Sequence, residues 1–229
     1  MLSLRTLLRH PIQFAIMTLG IALGVAVMVG IDIANASASR AFDMSTTAVT
    51  GRATHAIVAG AQGVDESFYV RLRTDPSWRG KLESAPLVIK YAVSPQLDDL
   101  PFTLLGIDPF AEAPFRSYLG TGDASQAPSM QAIASLLTVP SSVLLSAPTA
   151  ERYGLHPCPP DAVDESCLLD LYIGGETREA YLTGVLEPSD PLGRRALDTL
   201  MLTDIATAQS LSDTGGRLTQ IDLILPEEL

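Results

Sequence analysis

The chain has 229 residues, of which 47% are hydrophobic and 18% charged, and its formal net charge at pH 7 is −11. This apolar content excludes wholesale disorder, and the acidic balance disfavours nucleic acid as a partner, because phosphate binding requires clustered Lys and Arg. The 16 prolines and 17 glycines argue against a simple helical bundle, and two cysteines are too few for a disulfide-dense small domain.

The first predicted element is a membrane-spanning helix. Residues 11–31 carry no charge, and 21 helical residues span about 31 Å, close to the ~30 Å of a bilayer's hydrocarbon core. We predict a cytoplasmic N-terminus over residues 1–11 and a transmembrane helix over 12–33. Arg5 and Arg9 precede the span, so the positive-inside bias places the N-terminus in the cytoplasm and the acidic remainder in the periplasm, with the span in the inner membrane.

A cleaved signal peptide is the alternative interpretation of these residues. Small residues at 34–39 suit cleavage, but the apolar run exceeds the ~7–15 residues typical of such peptides. Within the run, Gly20 and Gly24 form a small-xxx-small pattern that predicts a face for packing against another helix, although both residues are common in spans. After the span, no proline or glycine occurs before Gly51, so we expect residues 34–50 to continue the helix as a stalk.

The remaining residues, 51–229, predict an α+β extracytoplasmic domain. A second charge-free stretch, 124–150, contains three prolines and therefore cannot be one continuous helix in lipid. Alternation and turn residues predict strands at 53–60, 85–93, 101–107, 142–146, 167–173, 178–187, 198–204 and 217–225. Helices are predicted at 65–75, 109–118, 130–137, 148–154 and 205–211. We expect two lobes of mixed α/β structure, one from 50–120 with 217–225 and one from 140–200.

The order of several segments resembles a known family. In chain order they are LLGIDP (104–109), SSVLLSAPTAERYGL (141–155), LTGVLE (182–187), LMLTDIATAQSL (200–211) and LTQIDLIL (218–225). This order resembles the periplasmic core domain of FtsX/MacB-type ABC transporter permeases, the group that includes LolC and LolE. The resemblance implies a non-catalytic permease component that couples cytoplasmic ATP hydrolysis to export or to lipid or lipoprotein handling. The implied partners are a cytoplasmic ABC ATPase, a second permease copy or paralogue, and membrane lipid.

Two features depart from that family. Residues 156–161 replace the usual Gly-Asp turn and lead into an acidic insert. Family permeases also carry three or more further spans after this domain, so we expect the chain to be the N-terminal part of a longer permease, with a split or decayed gene as the alternative.

No catalytic signature is present, so we expect neither an enzyme nor a cofactor. The sequence lacks a P-loop, HExxH, GxSxG and CxxC. Acidic groups, for example Asp161, Asp164 and Glu165, are expected to be solvated turn residues, with a weak divalent-ion site as the sharper alternative. Cys158 and Cys167 bracket eight residues and form a candidate disulfide in an oxidising compartment, with free thiols and a metal site as alternatives. A single-span anchored sensor or binding module is the alternative function, and a secreted enzyme is disfavoured for want of a nucleophile–base pattern.

Overall fold

A computed structural model describes residues 11–50, 52–78, 80–116, 130–159, 165–187 and 197–225. The first element is one uninterrupted helix, α1 (Pro11–Thr50), of 40 residues. Within it, Ala15–Ile33 is long and apolar enough to cross a membrane, and it is the one such segment among the described residues. None of this segment is buried in the chain, as expected for a surface that meets lipid. The chain divides into two compact units between Met44 and Ser45.

The second unit contains ten strands and five α-helices among its described residues. The strands are β1 (His55–Val58), β2 (Val64–Asp65), β3 (Glu83–Val93), β4 (Pro101–Ile107), β5 (Ser142–Ser146), β6 (Leu168–Ile173), β7 (Glu176–Leu186), β8 (Leu200–Asp204), β9 (Arg217–Leu218) and β10 (Gln220–Ile224). The helices are α2 (Glu66–Thr74), α3 (Pro109–Glu112), α4 (Met130–Thr138), α5 (Ala147–Arg152) and α6 (Ile205–Leu211), with single 3-10 turns at Gly60–Gln62 and Pro95–Leu97.

Local chemistry explains where these helices begin. The side chains of Asp65, Asp108, Ser146 and Asp204 each accept a hydrogen bond from a backbone N–H in the first turn of α2, α3, α5 and α6. Such N-caps satisfy donors that have no partner inside the helix. The α3 helix ends at Glu112, earlier than the predicted residue 118, because Pro114 has no backbone N–H to continue the helical hydrogen bonds.

Eight strands form one mixed sheet in the order β1-β10-β3-β4-β8-β5-β7-β6. The β4–β8 and β5–β7 pairs are parallel, and the rest are antiparallel. Because Val93 of β3 also pairs with Tyr172 of β6, the six strands from β3 to β6 make a closed circuit. The predicted α+β class is confirmed. The segments expected to form two lobes are the two halves of this continuous sheet, and they meet where β4 pairs with β8 and where β3 pairs with β6.

In β4, β5, β6 and β7, alternate residues point into one apolar cluster, to which β3 and β8 each add one residue. This cluster comprises, among others, Phe102, Leu104, Val143, Leu145, Leu169, Leu171, Ala180, Leu182 and Met201. The period of two follows from strand geometry, in which alternate side chains point to opposite faces. A second cluster under α4 and a third under α2 and α6 cover other parts of the sheet.

The predicted last strand, 217–225, is divided in two. Residues Arg217–Leu218 pair with β2, whereas Gln220–Ile224 lie between β1 and β3. Between them, the Thr219 hydroxyl accepts a hydrogen bond from the backbone N–H of Ile89 at 2.8 Å. A side chain thus replaces a ladder hydrogen bond at that position, and the strand is interrupted there.

Candidate functional site

The segment before β1 and the segment after β10 lie next to each other. The backbone N–H of Thr54 donates to the Leu223 carbonyl at 2.9 Å, and the Thr54 hydroxyl donates to the same oxygen at 3.2 Å. The Leu225 N–H donates in turn to the Thr54 hydroxyl oxygen at 3.0 Å. Residue 54 follows α1 by four positions and residue 225 follows β10, so the incoming and outgoing segments are held side by side.

The incoming segment is also attached to the turn after α3. The Arg52 N–H donates to the Phe115 carbonyl at 2.7 Å. The Phe115 side chain is fully buried with Ala85 and Ala111, and Ala53 and Ile224 pack against this small cluster. We call the hydrogen-bonded group of Arg52, Thr54, Phe115, Leu223 and Leu225 the junction.

A buried charged cluster lies beside the junction. The Arg116 guanidinium forms ion pairs with Glu112, four residues earlier, and with Asp222 of β10, whose Oδ2 lies 3.2 Å from Nη2. The side chains of all three residues have 0% exposure. Removing one partner from such a network leaves an uncompensated buried charge, so the three residues depend on one another. The cluster fastens the α3 turn to the strand that leaves the domain.

Burial dominates the electrostatics of Asp222. Removal from water raises the pKa of this carboxyl above its ordinary 3.8, while the Arg116 charge and the hydrogen bonds from Gln220 and Arg116 act in the opposite direction. The Gln220 amide lies 2.6 Å from Asp222 Oδ1. The cluster joins the α3 turn to β10 through its buried ion pairs.

The predicted packing and topology residues lie in or near α1. Gly20 and Gly24 are both exposed, and no other residue would lie within 4 Å of a Cβ added at either position. No described residue of the same chain covers this helix face, and its packing against another helix stays a prediction. Arg5 and Arg9 lie outside the described residues, so their topological role stays a prediction as well.

The two cysteines are joined in the structure. The Sγ atoms of Cys158 and Cys167 are bonded, and their Cα atoms lie 5.1 Å apart. Cys167 is fully buried in the cluster inside the closed strands, and the Cys158 N–H donates to the Leu182 carbonyl at 2.7 Å. The bond fixes the segment before the acidic insert against the β6–β7 hairpin.

No metal site is evident in the part of the chain that the structure describes. Within those residues no group of three or more His, Cys, Asp or Glu is arranged to hold an ion. Asp161 and Asp164 of the predicted acidic group lie outside the described residues, whereas Glu165 is exposed.

Sequence reasoning missed the residues of the junction and of the charged cluster. Two signals could have suggested the cluster: Arg116 follows Glu112 at helical spacing, and Asp222 is a lone acid inside an apolar strand. Arg116 and Asp222 are 106 residues apart, and no local pattern predicts their pairing.

The described residues thus combine a helix long and apolar enough to cross a membrane with an α+β domain whose first and last strands, β1 and β10, are paired. Over 224 residues, 98% of the chain, the sequence is 39% identical to an uncharacterized ABC transporter permease protein of Mycobacterium tuberculosis (strain ATCC 25618 / H37Rv). The chain spans 24% of that relative's length. It is thus related over nearly its whole length to part of an ABC transporter permease, and the resemblance predicted from the sequence is confirmed.

No protein-family model matches the chain. Two solved structures match about three quarters of it at low TM-scores. The periplasmic region of MacB from Actinobacillus actinomycetemcomitans has a TM-score of 0.41 at 11% identity, covering 74% of this chain and 68% of that one. A domain of a putative permease from Porphyromonas gingivalis has a TM-score of 0.39 at 15% identity, covering 73% and 63% respectively.

Proposed function

We propose that the chain is the first membrane-spanning helix and the extracytoplasmic domain of an ABC-type permease, a component that performs no bond-breaking chemistry itself. A cytoplasmic ATPase binds and hydrolyses ATP, and the resulting motion reaches the domain through α1. The movement of the domain serves export or the handling of lipids or lipoproteins.

One observation carries this proposal. The incoming Thr54 and the outgoing Leu223 and Leu225 are hydrogen-bonded neighbours at one end of the sheet. This arrangement suits a domain inserted between two membrane helices, because both connections then point toward the same membrane. It supports a continuation of the chain into further spans, in keeping with the greater length of the permease relative.

The continuity of α1 supplies the mechanical connection. At about 1.5 Å per residue, the 40 residues of α1 extend about 60 Å, roughly twice the hydrocarbon thickness of a bilayer. In this proposal residues 1–11 are cytoplasmic, 12–33 span the inner membrane, 34–50 form the stalk and 51–229 form the periplasmic domain. Arg5 and Arg9 hold the N-terminus inside, and Gly20 and Gly24 pack on a helix of the same permease or of a second copy or paralogue.

Interrupting the stalk tests the coupling. A proline at residue 40 removes a helical hydrogen bond and clashes with the preceding turn. We would compare the Arg40→Pro and Arg40→Ala variants of the permease–ATPase complex in lipid nanodiscs, because the alanine variant loses the same charge but keeps the helix. The measurements are ATP hydrolysis and the hydrogen exchange of residues 52–56 with ATP plus vanadate against ADP.

We expect wild type and Arg40→Ala to show a nucleotide-dependent difference in exchange, and Arg40→Pro to lose it while it still hydrolyses ATP. A nucleotide-dependent difference that persists in Arg40→Pro would contradict coupling through α1. Sequencing the gene beyond codon 229 tests the anchored-sensor alternative, since further spans support the permease and an immediate stop codon supports the sensor.

A further inference from the structure

Two junctions in the closed circuit of strands are held by one residue pair each. The β3–β4, β4–β8, β5–β7 and β6–β7 ladders each join five to seven residue pairs. By contrast, β8 meets β5 through the pair Leu202–Leu144, and β6 meets β3 through the pair Tyr172–Val93. We call these junctions the β8–β5 seam and the β3–β6 seam. Two groups of well-paired strands, β3-β4-β8 and β5-β7-β6, therefore meet along two seams.

The sequence itself limits the β3–β6 seam in both directions. In the antiparallel register of this seam, Pro95 would be the next residue after β3 to face Asp170 of β6. Proline has no backbone N–H, so it cannot continue the ladder. In the other direction β6 ends at Ile173, where the chain turns into β7. The strand pairing at this seam is therefore confined to Val93 and Tyr172.

A side-chain bridge takes over where the ladder stops. Gln96 Nε2 donates to Asp170 Oδ2 at 2.9 Å, and the Asp170 backbone N–H donates to Gln96 Oε1 at 3.2 Å. The Ser94 hydroxyl donates to the same Gln96 oxygen at 2.8 Å and so helps to orient the amide. The Gln96 side chain thus fastens β6 to the end of β3 by two hydrogen bonds, one of them to a carboxylate.

The two seams differ in their apolar cover. The β8–β5 seam has the cluster under α4 on one face and the cluster inside the circuit on the other, and the Thr203 hydroxyl donates across it to the Ser142 carbonyl at 2.7 Å. The β3–β6 seam is covered on its inner face, whereas Tyr91 and Tyr172 on its outer face are 72% and 54% exposed. Regions with few buried apolar contacts open at a lower free energy than the rest of a fold.

We propose that the β3–β6 seam is a gate in the domain. It opens while the ladders on either side stay paired, with the β8–β5 seam as the hinge, and the Gln96–Asp170 bridge keeps it shut. Opening uncovers the apolar interior of the circuit, to which Ala92 contributes beside the seam. Because contact between that interior and water is unfavourable, the closed form predominates. This device belongs to the domain itself and does not rest on the proposed function.

Thiol labelling of the full chain in detergent micelles tests the gate. The two native cysteines are bonded to each other, so an introduced cysteine reports the exposure of its own position. Ala92→Cys places a thiol inside the circuit beside the seam, and Val88→Cys is the matched control, because it is buried on the same face of β3 but in the cluster under α6. We expect iodoacetamide to label Ala92→Cys about tenfold faster than Val88→Cys. Labelling of Ala92→Cys at the rate of Val88→Cys or below it would overturn the gate, because both thiols would then react only when the whole domain unfolds.

Removing the bridge tests the fastener. We expect Gln96→Ala to raise the labelling rate of Ala92→Cys by about 10- to 100-fold, because a lost hydrogen bond to a charged group favours the open form by that order. The labelling of Val88→Cys should change much less. Gln62→Ala replaces an exposed glutamine in the other 3-10 turn and should leave both rates unchanged. Equal acceleration at both positions by Gln96→Ala would contradict a local gate.

The wild-type chain gives a second readout that does not depend on any variant folding. The Asp170 N–H donates across the seam to Gln96, whereas the next residue, Leu171, has its N–H on the opposite side of β6, in the ladder with β7. We expect the Asp170 amide to exchange with deuterated water faster than the Leu171 amide, after correction for their intrinsic rates. Equal protection of the two amides would overturn the gate. Neither measurement involves the ATPase, so failure of the gate is distinguishable from failure of the coupling through α1.

Discussion

Gly106 of β4 lies directly beneath Ala208 of α6, so closely that a Cβ added at residue 106 would be 2.4 Å from the Ala208 Cβ. The same added atom would lie 3.3 Å from the Asp204 carbonyl oxygen, which is backbone and cannot rotate away. Ala208 is fully buried in the cluster that joins α6 to the sheet. The close approach of helix and strand at this point therefore requires glycine.

We expect Gly106→Ala to destabilise the domain by about 1–3 kcal/mol, because an overpacked core must shift helix or strand to admit the methyl group. Urea unfolding of the full chain in micelles measures the change. Gly215→Ala is the matched control, since nothing lies within 4 Å of a Cβ added there. Equal midpoints for the two variants would show that the contact is not tight in solution.

Removing the cation of the buried cluster should destabilise the domain strongly. Arg116→Met leaves Glu112 and Asp222 without their shared cation, and truncating one partner of a buried ion pair costs about 3–5 kcal/mol. Arg178→Met is the control, because the Arg178–Glu176 pair is solvent-exposed and such pairs contribute under about 1 kcal/mol. Chemical unfolding of both variants gives the comparison, and similar losses would mean that the cluster is solvated.

The disulfide should protect the chain against unfolding. Closing a loop of this size stabilises by roughly 2–3 kcal/mol in the chain-entropy model, so reduction or Cys158→Ser should lower the unfolding midpoint accordingly. Thiol titration of the denatured chain, before and after reduction, tests the bond itself. We expect no reactive thiol before reduction and two after it. Two reactive thiols in unreduced material from an oxidising compartment would contradict the bond.

The glycine face of α1 should mediate helix association in the membrane. Gly20 and Gly24 are four residues apart and so share one helix face. We expect the double variant Gly20→Leu, Gly24→Leu to lose the crosslink between this helix and its partner helix, because the larger side chains keep the two backbones apart. Ala15→Leu with Ala22→Leu makes a similar enlargement on the opposite face and should leave the crosslink intact. Loss of the crosslink in both double variants would indicate that larger side chains disturb the association wherever they lie on the helix.

Much of the local structure could be predicted because its causes are local. Strands such as 101–107 and 142–146 have the bounds expected from their apolar residues and flanking turns. The N-cap at Asp65 and the end of α2 before Pro76 follow from the chemistry of adjacent residues. One error arose where a distant element decided the outcome: Arg217–Leu218 pair with β2, and this pairing divides the predicted last strand.

The site could be predicted only in part. The cysteine pair is recognisable because its members are nine residues apart and bracket a small loop. Thr54 and Leu223 are 169 residues apart, and neither belongs to a motif that indicates a contact. Their proximity depends on β10 lying between β1 and β3, which is a property of the whole sheet.

The sequence by itself determined that one segment suits a bilayer and that the rest forms mixed α/β structure, because hydrophobic length and side-chain alternation are properties of residues close together in the chain. The order of its motifs was enough to indicate the resemblance to permeases. Only the tertiary structure decided that the two halves share one sheet, that the segments before β1 and after β10 lie side by side, and that Arg116 is buried between two acids. Those features depend on which strands pair, and pairing is set by how all the apolar faces are covered at once.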